Sequence, residues 1–418
     1  MKLQASSISF ALRTGVLCGT LALACAAAHA PVWAGTTTIS MFNIKIISSD
    51  IETADGVLHV RIDGDVAFAQ SEDDVLSVSK KAVFEQRRDG HTYRIVFEPA
   101  KGGVSRAYTV DGKEHDWDAE GRHWLAGVIP TALRETAFEC EARSKRIFAA
   151  GGANALLAEI ELIHSDYARR NYIVALAGLG KLDEKQIART LVVAEKIDSD
   201  FERRNTYVAL IEHQTLNNPT QAKLLQGAAA IHSDFELRNV LVSLAPKLGS
   251  DDAVAQAWLG AMRQVHSDFE ARTAVTALAE ANGGPARQVD LALQSTQNIH
   301  SAFERRTALV AIARNMAHPS DAEVAAYAAS ASRIDSDFER RVAIVDLADK
   351  AALDKSACLA LLGAIDGMGS DFEIRNALVA LARQVPKDEE VIARYHRVAR
   401  KLGDFERGQA EKALDHLG

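Results

Sequence analysis

Acidic and basic side chains recur along the C-terminal two-thirds of this chain at one interval. Asp166, Asp200, Asp234, Asp268, Asp337, Asp371 and Asp404 stand 33 to 35 residues apart once Ala302 is counted at the fifth position. Four residues after the acid come Arg170, Arg204, Arg238, Arg272, Arg306, Arg341 and Arg375. Two residues before it, His164, His232, His266 and His300 supply imidazoles. Carboxylate, guanidinium and imidazole are the groups of acid–base chemistry and metal binding, but only where several converge on one point. Equivalent atoms on packed neighbouring helices lie about 10 Å apart, whereas histidine binds zinc at about 2 Å. A row of this kind therefore cannot share an ion. An active site also needs one special copy, while a stack of repeats needs the same seam every time.

Two other clusters carry reactive types. His115-Asp116-Trp117-Asp118-Ala119-Glu120-Gly121-Arg122-His123 is rich in metal-capable groups without a recognised ligand spacing, and reads as a solvated connection entering a helix. Trp117, His123 and Trp124 are the candidate small-ligand site of this region. Four cysteines occur, and Cys140 and Cys358 lie far apart in the body of the chain, which fits isolated buried thiols better than a disulfide scaffold. No zinc-peptidase helix motif, nucleophile elbow or phosphate loop is present. The expectation is no catalytic residue, no metal and no cofactor.

The elements that position these residues follow from the repeat. Eight near-copies at about 34 residues are the signature of stacked helix-turn-helix units. In Ser199-Asp200-Phe201-Glu202-Arg203-Arg204, serine and the glutamate three residues on read as a capping box at the start of the second helix. Asp200 adds a negative charge at the positive end of that helix. Phe201 and its equivalents Tyr167, Phe235, Phe269, Phe303, Phe338, Phe372 and Phe405 are aromatic throughout, and with Val208 and Ile211 form an expected apolar stripe. Arg204 falls between Phe201 and Val208 on the helical wheel, where an unpaired charge is costly. Asp200, one turn earlier, is the expected partner. The resulting Asp–Arg ladder makes Arg204→Ala costlier than Arg203→Ala, and leaves Arg306, opposite Ala302, to borrow a partner from a neighbouring repeat or stay partly wet. Ala168 replaces the glutamate in the first copy and Gly408 the arginine in the last, as capping units should differ.

Before the repeats the pattern changes. Residues 35–120 alternate apolar and polar positions, as half-buried strands do. The runs Ile39–Ile46 and Val57–Ile62 and the arms Ala82–Arg88 and His91–Phe97, joined by Asp89-Gly90, predict a small antiparallel domain of six to eight strands. Residues 121–152 read as linker and capping helices, with Pro130 opening a helical segment and Gly151-Gly152 ending it. Residues 153–418 are the array. The fold class is thus α+β and mostly α, a β domain followed by an α-solenoid.

Residues 1–34 read as a secretory leader: Lys2 and Arg13, an apolar run from Thr14 to Ala28, and cleavage favoured after Ala34. Lipoprotein anchoring at Cys25 is disfavoured because Ala22 stands where leucine is usual. Losing Lys2 and Arg13 takes the net charge from -8 to -10, and an acidic chain without a basic stripe argues against nucleic acid and anionic membranes. No stable membrane insertion is expected, and the compartment is periplasmic or extracellular.

Trp124-Leu125 through Arg134, Arg143 to Ile147, Gly151-Gly152, Leu156 to Ile160 and Ser165-Asp166-Tyr167 together resemble a known pattern. It is similar to the extracytoplasmic regions attached to beta-lactam-regulator-type membrane metallopeptidases and to their soluble bacterial relatives. The resemblance implies that only a sensing or interaction portion is present, with no catalytic residue to carry over. The expected function is a non-enzymatic scaffold for a protein or peptide partner, in envelope sensing or regulation. The alternatives are a ligand receptor or enzyme with a site between the β domain and the first repeats, and a structural envelope protein.

Overall fold

The computed structural model describes residues 36–41, 44–281, 286–316 and 318–415. The leader and its cleavage site lie outside the described residues. Nine strands form first: β1 (Thr36–Met41), β2 (Ile44–Thr53), β3 (Gly56–Asp63), β4 (Val66–Phe68), β5 (Val75–Val78), β6 (Lys81–Arg88), β7 (His91–Ala100), β8 (Gly103–Val110) and β9 (Lys113–His115). Seven make an antiparallel sheet in the order β1-β2-β3-β6-β7-β8-β9, and β4 pairs with β5 as a separate hairpin. The count exceeds the expected six to eight because the run Ile39–Ile46 is divided between β1 and β2 and because β9 is only three residues long. The Asp89-Gly90 hairpin forms with Arg88 opposite His91. Both turn residues have positive φ, 51° and 83°, the pattern of a two-residue turn that matches strand twist.

Alternation puts Leu58, Val60 and Ile62 of β3, Ala82 and Phe84 of β6, and Ile95 and Phe97 of β7 into one core. Against that face lies α1 (Ala119–Thr136), contributing Trp124, Leu125, Val128, Ile129, Ala132 and Leu133. Pro130 sits inside α1 and does not open a second segment. It removes one backbone donor, but Ile129 and Leu133 on either side are buried in the sheet's core, and that packing carries the helix across it.

Two layers of helices follow. The first helices of the eight units are α2 (Cys140–Ile160), α4 (Glu184–Ala194), α6 (Asn218–Ala228), α8 (Asp252–Met262), α10 (Ala286–Ser295), α12 (Asp321–Ser332), α14 (Lys355–Asp366) and α16 (Glu389–Ala399). The second helices are α3 (Asp166–Leu179), α5 (Asp200–His213), α7 (Asp234–Leu244), α9 (Asp268–Glu280), α11 (Ala302–Ala313), α13 (Asp337–Lys350), α15 (Asp371–Ala382) and α17 (Asp404–Asp415). Each packs on its counterpart in the next unit, so one hydrophobic core runs continuously from Ala153 to Ala410. The Gly151-Gly152 pair ends the first helical stretch of α2, as expected, and a second stretch follows beyond the kink. Gly152 takes φ 70°, a value glycine reaches without strain, and helical bonding resumes beyond it.

Candidate functional site

Every second helix begins at the same edge of the array, and the recurring motif lies there. Serine opens seven of the eight helices as expected, Gly403 standing before the last: the Ser199 hydroxyl accepts from the Glu202 N–H at 3.4 Å, and Ser165, Ser233, Ser267, Ser301, Ser336 and Ser370 do the same. The glutamate does not reach back to complete a box. Its carboxylate takes an arginine from the unit before: Arg170 Nε donates to Glu202 Oε2 at 2.6 Å, Arg204 to Glu236 at 2.6 Å, Arg238 to Glu270 at 2.6 Å, Arg272 to Glu304 at 2.8 Å, Arg306 to Glu339 at 2.7 Å and Arg375 to Glu406 at 2.7 Å. Arg341 and Glu373 make the same rung. The ladder therefore runs between units, and not from Asp200 to Arg204 within one helix turn. Arg306 does take its acid from a neighbouring unit, Glu339, as expected, but so does every other arginine of the ladder.

The aspartate has another task. Asp200 Oδ2 accepts from the backbone N–H groups of His232 and Ser233 at 3.1 and 2.8 Å, holding the turn that opens the next unit. Asp166, Asp234, Asp268 and Asp337 repeat this on the corresponding pair, and Asp371 accepts from Gly403. Ala302 brings no carboxylate to the N–H groups of Asp335 and Ser336. At the start of the array Glu135, from the end of α1, fills the role by accepting from His164 and Ser165. Glu135 lies off the repeat interval, so no periodic signal could have found it.

Burial reverses the expected order of the two arginines. Arg203 is 7 % exposed and donates to the carbonyls of Ile197 and Ala230, at the ends of α4 and α6. Carbonyls at helix C-termini have no partner within the helix and carry the negative end of its dipole. Arg169 and Arg340 cap carbonyls in the same way. The buried face of α5 is set by Arg203, Thr206, Tyr207 and Leu210. This is one residue removed from the face that the wheel centred on Arg204.

That rotation turns the aromatic ring outward. Phe201 is no packed anchor: the eight aromatics are 40 % to 71 % exposed, from Tyr167 to Phe405. In seven units the arginine of the rung lies over the ring, 4.6 to 5.2 Å from its centroid. Each such stack is worth about 0.5–1 kcal/mol at an exposed site. The edge thus carries a row of half-exposed rings, each clamped on one side by a guanidinium that a glutamate neutralises. The two end copies separate the parts. Ala168 stands where a glutamate would have no preceding arginine of the series, and Gly408 where an arginine would have no following glutamate among the described residues. Phe405 nevertheless keeps its ring, although Gly408 provides no guanidinium to cover it.

No protein-family model, no curated protein and no solved structure matches the chain.

The remaining candidates from the sequence are dispersed. His232 and His266 are exposed, each with Nδ1 almost 4 Å from Asp200 and Asp234, at 3.8 and 3.7 Å. Among the described residues no group of three His, Cys, Asp or Glu side chains is placed to hold a metal ion. Asp118 of the acidic cluster caps α1 by accepting from the N–H groups of Glu120 and Gly121. His123 and Trp124 border one cleft, and Trp117 meets Trp124 only through Tyr108, on which both pack. Trp117 packs edge-on against Tyr108, and Trp124 is buried between Tyr93 and Tyr108 with its indole N–H on Gln86 at 3.0 Å. His123 is exposed and borders a cleft of about 320 Å³ lined also by Thr53, Asp55, Gln86, Arg88 and Thr131. Both thiols are free, and burial pushes each up to about 11.

A charged cluster that the sequence did not reveal joins the β domain to the array. Arg143 of α2, 4 % exposed, donates to both oxygens of Glu72 at 2.8 and 3.0 Å and to Glu159 at 2.8 Å. Arg134 of α1 also reaches Glu159, at 2.7 Å, and Arg146 reaches Glu72 at 3.1 Å. Glu72 stands in the β4–β5 turn at φ 58°. Burial alone would disfavour the charge on Arg143, but its bonds to Glu72 and the neighbouring Glu159 hold its pKa above the usual value.

Proposed function

We propose that this chain is a non-enzymatic scaffold that docks a protein or peptide partner along the edge where the second helices begin. The observation carrying this reading is the aromatic row. Burial is the usual fate of phenylalanine, yet eight rings are held half in water at a regular interval. Contiguous exposed apolar surface marks interaction sites. The arginine stack accounts for seven rings, and Phe405 keeps its place without one. Where the motif's aspartates, glutamates and arginines occur, most are engaged in holding turns and in rungs, which favours binding over catalysis. The leader reading of residues 1–34 supports a periplasmic or extracellular setting. A part in envelope sensing is what the sequence resemblance to the extracytoplasmic regions of beta-lactam-regulator-type membrane metallopeptidases would imply.

The test is site-specific photo-crosslinking with the full chain. A photoreactive residue in place of Phe269 should give a discrete adduct with a native partner, whereas one at Val192, an exposed position on α4, should not. Equal labelling at both positions, or none at Phe269, removes the reading.

A second reading rests on the cleft beside His123. Its carboxylate, guanidinium, imidazole and amide groups around an apolar wall suit a small polar ligand. His123→Ala should abolish any ligand-induced rise in melting temperature. Trp124 is unsuitable as a probe because it is part of the core.

A further inference from the structure

We propose that the junction of the fifth and sixth units binds a single carboxylate, in the place that aspartate fills at the other junctions. This site stands apart from the aromatic row, and either can fail without the other.

Repetition shows what the turn between units is shaped to hold. Asp268 accepts from the backbone N–H groups of His300 and Ser301 at 2.7 Å each, and Asp337 from those of Gly369 and Ser370 at 2.9 and 2.8 Å. Each N–H pair lies at the start of a helix, where the dipole favours negative charge. Ala302 supplies no carboxylate. Among the described residues nothing accepts from the N–H groups of Asp335 and Ser336, which precede the 14-residue α13. Ala302 and Ser336 are half-buried and Asp335 is exposed, so this place opens to solvent.

A buried cation stands at the same point. Arg305 is 2 % exposed, its Nε has no partner among the described residues, and its Nη1 donates to the Arg333 carbonyl at 2.8 Å. Arg169 in the first unit is placed in the same way. Its Nε is likewise unpartnered among the described residues, and its Nη1 donates to the equivalent carbonyl, that of Lys196, at 2.9 Å. There Nη1 also reaches Asp166 Oδ1 at 3.2 Å, while Asp166 Oδ2 accepts from the N–H groups of Asp198 and Ser199 at 2.9 Å each. One carboxylate thus meets three donors in the first unit, and the fifth presents the same three donors without it. Arg203 and Arg340 differ, because their Nε groups are held by the carbonyls of Ile197 and Ile334. The third and fourth units carry Leu237 and Ala271 in place of the arginine. Only the fifth copy combines this arginine with the loss of the aspartate. Burial and the nearby Arg333 lower the pKa of Arg305, and an incoming anion relieves both. Asp268 and Asp335 already lie near Arg305, as Glu135 and Asp198 lie near Arg169, where they do not keep the Asp166 carboxylate out. A singly charged carboxylate therefore fits this place, whereas a phosphate dianion meets those two acids with twice the charge.

The experiment is thermal melting of the full chain in sodium formate or sodium acetate, against sodium chloride at equal ionic strength. Either carboxylate should raise the melting temperature saturably, to about 1–3 °C above the chloride control. Ala302→Asp installs the side chain of the other junctions, so it should melt above the parent in chloride and show no saturable response. Arg305→Leu, which copies the third unit, should fold and need severalfold more carboxylate for half the rise. A parent that responds no more than Ala302→Asp overturns the site, as does an Ala302→Asp protein that keeps the full rise. An unchanged half-point in Arg305→Leu overturns the part given to its guanidinium. Photo-crosslinking from position 269 separates the sources of the carboxylate. If Ala302→Asp and added acetate each cut the adduct severalfold, the ligand is an acidic side chain of that partner. If the adduct is undiminished while Ala302→Asp abolishes the melting response, the site stands and takes a free small carboxylate. If position 269 gives no adduct at all, the docking edge falls and the melting result still decides the site.

Discussion

Arg203 directs its guanidinium at the carbonyl ends of α4 and α6, whereas Arg204 lies over Phe201 and reaches Glu236. Removing Arg203 leaves buried carbonyls without a donor, a loss of about 2 kcal/mol. Arg204 makes one partly exposed ion pair and one ring stack, together about 1 kcal/mol. Arg203→Ala should therefore lower the denaturant midpoint about twice as far as Arg204→Ala. Arg203→Leu should be milder than Arg203→Ala, because the third unit places Leu237 at the same position, fully buried. Equal effects of the two alanine substitutions would contradict the assignment of the buried role. At this scale the sequence was legible in part. Serine, aspartate and the repeat interval marked the helix start, since capping is a local matter. The arginine's partner was hidden, because a helical wheel ranks faces within one helix and says nothing of the helix alongside. A shift of one residue around the wheel exchanged the buried arginine for the exposed one, and turned the ring from the core to the surface.

The elements differ in how much of their geometry the chain announces locally. Asp89-Gly90 and the alternation around it suffice for the β6–β7 hairpin, because turn and pattern agree. The placement of α1 does not follow from its own sequence. It depends on burying Trp124, Leu125 and Ile129 against a sheet assembled from residues up to 82 positions away, from Ile129 to Ile47. The junction of the two cores is likewise long-range, with Glu72 and Arg143 separated by 71 residues. Burial of Glu159 opposes its charge, but bonds from Arg134 and Arg143 outweigh this and hold its pKa below the ordinary 4.5. A depressed carboxylate contributes stability that is full above its unfolded pKa and is lost as pH falls through the folded one. Acidification below 4.5 should thus loosen the junction, seen as faster hydrogen exchange in α2 and in the β4–β5 turn. Glu159→Gln should be less stable at neutral pH, yet should lose less on acidification than the parent. The same pH slope in both proteins would show that this carboxylate does not set it.

At the scale of the whole molecule the ladder makes the array divisible at one kind of cut. Excising residues 234–267 joins Ser233 to Asp268, so the cap, the ring and the glutamate follow in their usual order. Arg204 would then meet Glu270 in place of Glu236, and Asp200 would still hold the turn at His232 and Ser233. Because stacked repeats contact only their neighbours, stability is close to a sum of units and interfaces. The shortened chain should fold, keep its helical spectrum and unfold in one transition. Its urea m-value should fall in proportion to the surface removed. Excising residues 234–250 removes α7 alone and sets α8 against a layer it does not match, exposing the apolar faces of Trp258 and Met262. That protein should aggregate or lose its cooperative transition.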